Sequence, residues 1–342
     1  MRRFALVVLA LLLIGAGAGA WFYSGVDRPF KGYDAPELFV EIPQGTGSIA
    51  IGKLLADAGV VRDVNSFRLA LWLTGSGRRL QAGEYRFDRP ISARQVADRI
   101  ARGDVFVRPI TFPEGLTIKQ MGALYESKAF GPAEEFIAAA KNAALVSAVD
   151  PDAKDLEGYL FPDTYKLPRR STADQLVGRM VTGFMKTLTP DLLEKTEARG
   201  LTIRQVVTLA SIVEKETGNP EERPRVAAVY TNRLKLGMGL QCDPTVIYAL
   251  ERAGRYNGNL TRENLQYDSP YNTYRYPGLP PGPIASPGRA SLAAAASPAD
   301  VPYLYFVSKN DGSHAFATTL EEHNRNVQEY QVKYFRDQRQ KK

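Results

Sequence analysis

The stretch from Phe4 to Tyr23, FALVVLALLLIGAGAGAWFY, runs 20 residues without a charge and follows directly on Arg2 and Arg3. At about 1.5 Å per residue, a helix of that length crosses a hydrocarbon core of about 30 Å. The segment predicts a transmembrane anchor over residues 4–23. The two arginines keep the N-terminus in the cytoplasm, and Trp21, Phe22 and Tyr23 suit the far interface. The remaining chain is therefore expected outside the cytoplasm, held at the inner (cytoplasmic) membrane by a single span. The small residues Ala16, Ala18 and Ala20 leave a cleaved signal peptide as the alternative. The apolar run is longer than the roughly 7–15 residues such a peptide needs, which favours the anchor.

The 342-residue chain as a whole has an ordinary globular balance, 44% hydrophobic and 24% charged, which excludes wholesale disorder and a polytopic membrane protein. Lys and Arg number 44 against 37 Asp and Glu, a net charge of +7 that favours anionic partners. Export removes nucleic acid from that list, and no nucleic-acid motif is present. Cys242 is the only cysteine and His314 and His323 the only histidines, so neither an intrachain disulfide nor a Cys/His zinc cluster can form. No metal and no cofactor are expected.

Residues 24–38, with Pro29, Gly32 and Pro36, read as a linker. A small α+β subdomain is expected over residues 39–105. It opens with an alternating strand, Phe39–Ile42, followed by helices near 49–58 and 66–73, an extended piece at 83–87 and a helix opened by Ser92 with Gln95. A larger mixed α/β domain follows over 106–330, and residues 331–342 read as a charged, solvated tail. Ser92, Thr117 and Thr202 each precede a Gln by three residues, the capping-box pattern. The longer match between GLTIKQ (115–120) and GLTIRQ (200–205) leaves an internal duplication open. The proline-rich runs EGYLFPDTYKLP (157–168) and YNTYRYPGLPPGPIASPG (271–288) read as ordered loops.

The chemistry concentrates near one helix. Thr202 and Gln205 start it, Gly218-Asn219-Pro220 stops it, and Ile203, Val206, Val207, Ala210 and Val213 repeat at helical spacing. Glu214 lies seven residues after Val207 and eleven after Ile203, within about 20° of both at 100° per residue. That places it on the apolar stripe, where desolvation and the negative end of the helix dipole both favour the protonated acid. Glu216 falls on the other face. Two readings of Glu214 stand side by side: a general acid, or a helix-end carboxylate paired with Arg223 or Arg225. Downstream, Gln241, Asp243 and Thr245 precede an apolar helix, and the tyrosines of 271–288 add aromatic faces beside amides and hydroxyls, a combination that suits sugar rings.

Four segments in order, LASIVEKET (209–217), RVAAVYTNRLKLGMGLQCDPTVIYAL, YNTYRYPGLPPGPIASPG and PYLYFVSKNDGSHAFATTLEEHNRNV (302–327), resemble the YceG-like (MltG-type) endolytic murein transglycosylases over about residues 40–330. The resemblance implies a membrane-anchored enzyme that cuts nascent peptidoglycan glycan strands between MurNAc and GlcNAc, leaving 1,6-anhydro-MurNAc ends. It also implies peptidoglycan synthases as possible partners and a LysM-like character for the first subdomain. The acid/base glutamate of S-I-V-E-K-E-T is carried onto Glu214, with Gln241, Asn272 and Tyr274 as candidates for holding the glycan. Cys242 stands where the family commonly has Thr or another small residue. A non-catalytic glycan-binding scaffold, and a hydrolytic muramidase pairing Glu214 with Asp243 or Glu216, remain as alternatives.

Overall fold

The computed structural model describes residues 23–340. The expected membrane span lies, apart from Tyr23, outside the described residues, and among the described residues no helix is long and apolar enough to cross a membrane. The fold is mixed α+β and divides into two compact units. One runs to Pro109 and includes Lys166–Arg170, and the other comprises Ile110–Tyr165 and the chain from Ser171 onward.

In the first unit, β1 (Leu38–Ile42) pairs antiparallel with β2 (Gly83–Phe87), in a register running from Leu38 opposite Phe87 to Ile42 opposite Gly83. Alternation along β1 turns Val40 and Ile42 inward and leaves Glu41 exposed. Helices α1 (Ser48–Asp57), α2 (Val64–Thr74) and α3 (Ala93–Arg102) complete a core in which Leu55, Phe67, Ala70, Tyr85, Val96 and Ile100 are fully buried. The Ser92–Gln95 capping box starts α3 as its sequence predicts.

The expected linker is packed against this unit. Val26 is fully buried in the core, Asp27 accepts two hydrogen bonds from Arg94 (2.6 and 3.1 Å), and Phe30 bridges Ile91. The Gly32 amide donates to the Gly59 carbonyl at 2.8 Å, and a β-carbon on Gly59 would meet the Gly32 backbone at 2.7 Å. Proline and glycine here specify an extended, closely approaching backbone; composition alone does not distinguish that from a free tether.

In the second unit the end of β3 (Arg108–Thr111) pairs with the start of β4 (Thr164–Leu167), a strand inside the run that reads as a loop in the sequence. Helices α4 (Ile118–Ser127), α5 (Ala133–Ala139), α6 (Ala173–Met185) and α7 (Pro190–Ala198) precede the central helix α8 (Ile203–Glu216). Around α8 pack α9 (Arg223–Lys235), α10 (Asp243–Arg252) and α11 (Arg289–Ala296). Every residue of α8 from Val206 to Val213 is buried, so the helix is enclosed beyond its apolar stripe. Ser211 is accommodated by donating to the Thr208 carbonyl (2.7 Å) and accepting from the Ile284 amide (3.0 Å).

Capping boxes form at Thr117 and Thr202, and a further one at Thr172 with Gln175. In GLTIKQ and GLTIRQ the glycine is left-handed (φ +77° and +63°) and the box follows, so shared helix-start geometry accounts for the shared letters. An antiparallel hairpin, β5 (Tyr305–Ser308) and β6 (His314–Ala317), leads to α12 (Leu320–Val327), a π-helical turn over 328–333 and α13 (Tyr334–Gln340). The part of the expected tail that is described is thus helical.

Candidate active site

Helix α8 ends because Thr217 turns extended (φ −141°, ψ 130°), and its Oγ1 accepts the Asn219 amide at 3.0 Å to start the next turn. Glu214, Lys215 and Glu216 therefore share the last helical turn and point in different directions. The Glu214 side chain is only 5% exposed. Its Oε1 accepts from Arg223 Nη2 at 2.8 Å and its Oε2 from the Gly288 amide at 2.9 Å. Arg223, also buried, reaches Glu114 at 3.3 Å, and a β-carbon on Gly288 would collide with the Glu114 carboxylate. Lys215 donates to the Gly115 carbonyl at 3.2 Å instead of to its neighbour. Both Glu214 oxygens are thus engaged by the fold, in the ion-paired arrangement that the sequence leaves open.

Glu216 turns the other way, toward a cavity of about 270 Å³ that it lines with Tyr230, Gln241, Asp243, Tyr274 and His323. The Tyr230 hydroxyl donates to Glu216 Oε1 at 2.6 Å, and the Tyr230 ring is held edge-on by Phe306 with centroids 5.9 Å apart. Burial raises the Glu216 pKa above the usual carboxylate range; hydrogen bonds from Tyr230 and the Cys242 thiol oppose the rise, and the Asp243 charge adds to it. Burial also pushes the Cys242 thiol well up, which keeps it a proton donor. Helical phase in the sequence separates the two glutamates correctly, but the apolar stripe that it singles out faces protein.

Gln241 and Tyr274 line this cavity. Gln241 has φ +50°, a left-handed conformation that costs a non-glycine residue about 1–3 kcal/mol. Its amide donates to the Thr273 carbonyl at 3.2 Å, and the next amide, of Cys242, donates to Thr273 Oγ1 at 3.0 Å. The Tyr274 hydroxyl donates to Asp243 Oδ1 at 2.6 Å. Asn272 stands apart from the cavity. It is fully buried, its Nδ2 donates to the Leu265 and Tyr267 carbonyls, and its Oδ1 accepts the Tyr274 amide. The loop over 271–288 is half interior: residues 282–288 are buried, and Arg204 binds the Pro281 carbonyl with two nitrogens. Among the described residues no group of three or more His, Cys, Asp or Glu is placed to hold a metal ion.

A helix-borne carboxyl with a raised pKa, oriented by a tyrosine in a cavity lined with hydroxyl, amide and carboxylate groups, is a site for acid/base chemistry on a hydroxyl-rich substrate. The chain belongs to the YceG-like family, whose profile matches residues 40–329. It is 29% identical over 335 residues to an endolytic murein transglycosylase of Bacillus subtilis, covering 93% of this chain and 91% of that protein. It is 30% identical over 355 residues to one of Streptococcus pneumoniae, covering 95% of this chain and 64% of the longer relative. The crystal structure of a YceG-like protein from Listeria monocytogenes matches with a TM-score of 0.58 at 30% identity, covering 85% of this chain and 98% of that one.

Proposed function

We propose that this protein is an endolytic murein transglycosylase that cuts nascent peptidoglycan strands between MurNAc and GlcNAc without water, leaving 1,6-anhydro-MurNAc ends. The observation that carries the reading is the Glu216 carboxyl, raised in pKa and open to the polar cavity; the names of the relatives support the substrate class. Glu216 is the better acid/base than Glu214, because neither oxygen of Glu214 is left over from Arg223 and Gly288. Tyr230 donates to Oε1 and orients the Glu216 carboxyl, which carries the acidic proton. That proton passes to the glycosidic oxygen as the bond to MurNAc C1 breaks. The resulting carboxylate accepts the proton of the same sugar's C6 hydroxyl, whose oxygen closes on C1. An intramolecular nucleophile has a high effective concentration and needs no second carboxylate to activate it.

Gln241 and Tyr274 supply polar contacts to the glycan, and Asn272 acts through the loop that it orders. The anchor over residues 4–23, the extracytoplasmic placement of the folded units, the LysM-like character of 39–105 and a partnership with peptidoglycan synthases belong to the same proposal, supported by the sequence and its resemblance. Asp243 lines the same cavity, which gives the hydrolytic alternative a definite partner carboxylate. Product mass after cleavage of uncrosslinked strands in H₂18O separates the two. Anhydro ends without 18O are expected, whereas 18O in a reducing MurNAc end points to water activated at Asp243. Tight binding without any product favours the scaffold.

A further inference from the structure

His323 lies on α12 and lines the cavity that holds Glu216. Its ring stacks on Tyr305, centroids 5.2 Å apart and planes 23° from parallel. The Nδ1 atom is buried and has no hydrogen-bond partner, and among the described residues no protein group bonds the other ring nitrogen. A ring that served only to pack on Tyr305 would carry no cost if it were apolar, whereas this one buries an unpaired nitrogen. Arg233 supports the same wall of the cavity: it donates to the Leu304 and Leu240 carbonyls, both at 2.7 Å, and stacks on Tyr305 as well. Burial and the Arg233 charge together lower the His323 pKa, so the imidazole is neutral and has one N–H to give. A buried lone pair without a partner is better tolerated than a buried N–H, which puts the proton on Nε2.

We propose that His323 is a glycan-binding residue, whose Nε2–H donates to a hydroxyl or acetamido oxygen of the hexosamine seated in the Glu216 cavity. The inference rests on the transglycosylase reading and adds a contact that positions the sugar for it. The Nδ1 lone pair stays unpaired in both states, and the contact is made by Nε2–H, which no protein group among the described residues bonds.

The test compares His323→Phe, which keeps a ring to stack on Tyr305, with His323→Gln, which keeps an N–H. Uncrosslinked glycan strands serve as substrate, and each variant's melting temperature is measured beside its KM and kcat. The expected result is KM raised about tenfold in the Phe variant, the loss of one neutral hydrogen bond, with kcat within twofold and most of the affinity restored by Gln. Wild-type KM in the Phe variant, or an equal loss in both, overturns the proposal, because only the stacking ring would then matter. If the Phe variant unfolds, His323→Leu and His323→Asn make the same comparison. If the wild type makes no anhydro product, it is the reading of the reaction that fails, and direct strand binding by the same variants still decides the role of His323.

Discussion

The two sides of the last turn of α8 carry the same side chain and treat it differently. On one side Glu214 meets a buried guanidinium and a backbone amide, one for each oxygen. On the other, Glu216 meets one tyrosine hydroxyl, a thiol and a cavity. A carboxylate with each oxygen held by a fixed donor acts as a fastener between the segments that supply those donors. One buried beside a cavity, with no cation against it, keeps a pKa raised by burial and a face for substrate. The difference lies in the partners, and the partners come from elements far away in the chain.

The sharpest way to break this contrast is Glu216→Gln, which keeps shape but cannot release a proton. It is expected to lower cleavage by about a thousandfold or more with little change in melting temperature, measured on uncrosslinked strands. Near-normal turnover would move the acid back to Glu214. Glu214→Gln is expected to act on stability instead, because it leaves the buried Arg223 with only the more exposed Glu114, at 3.3 Å, as a counter-charge. Urea unfolding should register a loss of about 2 kcal/mol, with the folded fraction still cleaving. Asn272→Ala removes three interior hydrogen bonds and should cost about 2 kcal/mol; a rise in KM without a loss of stability would return it to the glycan-binding set.

Glu157 sharpens the comparison as a carboxyl with a raised pKa away from the cavity. Burial pushes it up to about 8, despite hydrogen bonds from the Ile118 amide and Tyr248. The folded protein then holds a proton that the unfolded chain releases near its ordinary value of 4.5. Stability from this group is full below that value and is lost as pH rises toward 8, by at most about 1.4 kcal/mol per pH unit. Glu157→Gln should flatten that slope in thermal melts while leaving the catalytic rate of the folded protein unchanged. Tyr230→Phe has the smallest expected effect. Because the Tyr230 hydroxyl holds the Glu216 pKa down, its loss should move the alkaline limb of kcat/KM upward, by about one pH unit or less.

Much of the fold is legible locally. The capping boxes at Ser92, Thr117 and Thr202, the Gly218-Asn219-Pro220 stop and the strand pattern of 39–42 are short-range physics, and each forms where its residues stand. The 271–288 loop is less legible, since proline and glycine content is the same whether a loop crosses the surface or threads the interior as residues 282–288 do. The same ambiguity hides the packing of Val26 behind what reads as a tether. At the site, Gln241 and Tyr274 bring an amide and a hydroxyl to the cavity. Asn272 shares that chemistry but spends it on neighbouring carbonyls.

The sequence by itself determined that Glu214 and Glu216 end one helix on different faces, because a step of 100° per residue is a property of the backbone. It also determined the family, through four segments matched in order. Only the tertiary structure decided which glutamate meets Arg223 and which meets the cavity. Arg223 and Gly288 lie 9 and 74 residues beyond Glu214, and the cavity wall is assembled from α9, α10, the proline loop, β5 and α12. Desolvation and pairing depend on distances in space between such segments, and those distances exist only once the chain has folded.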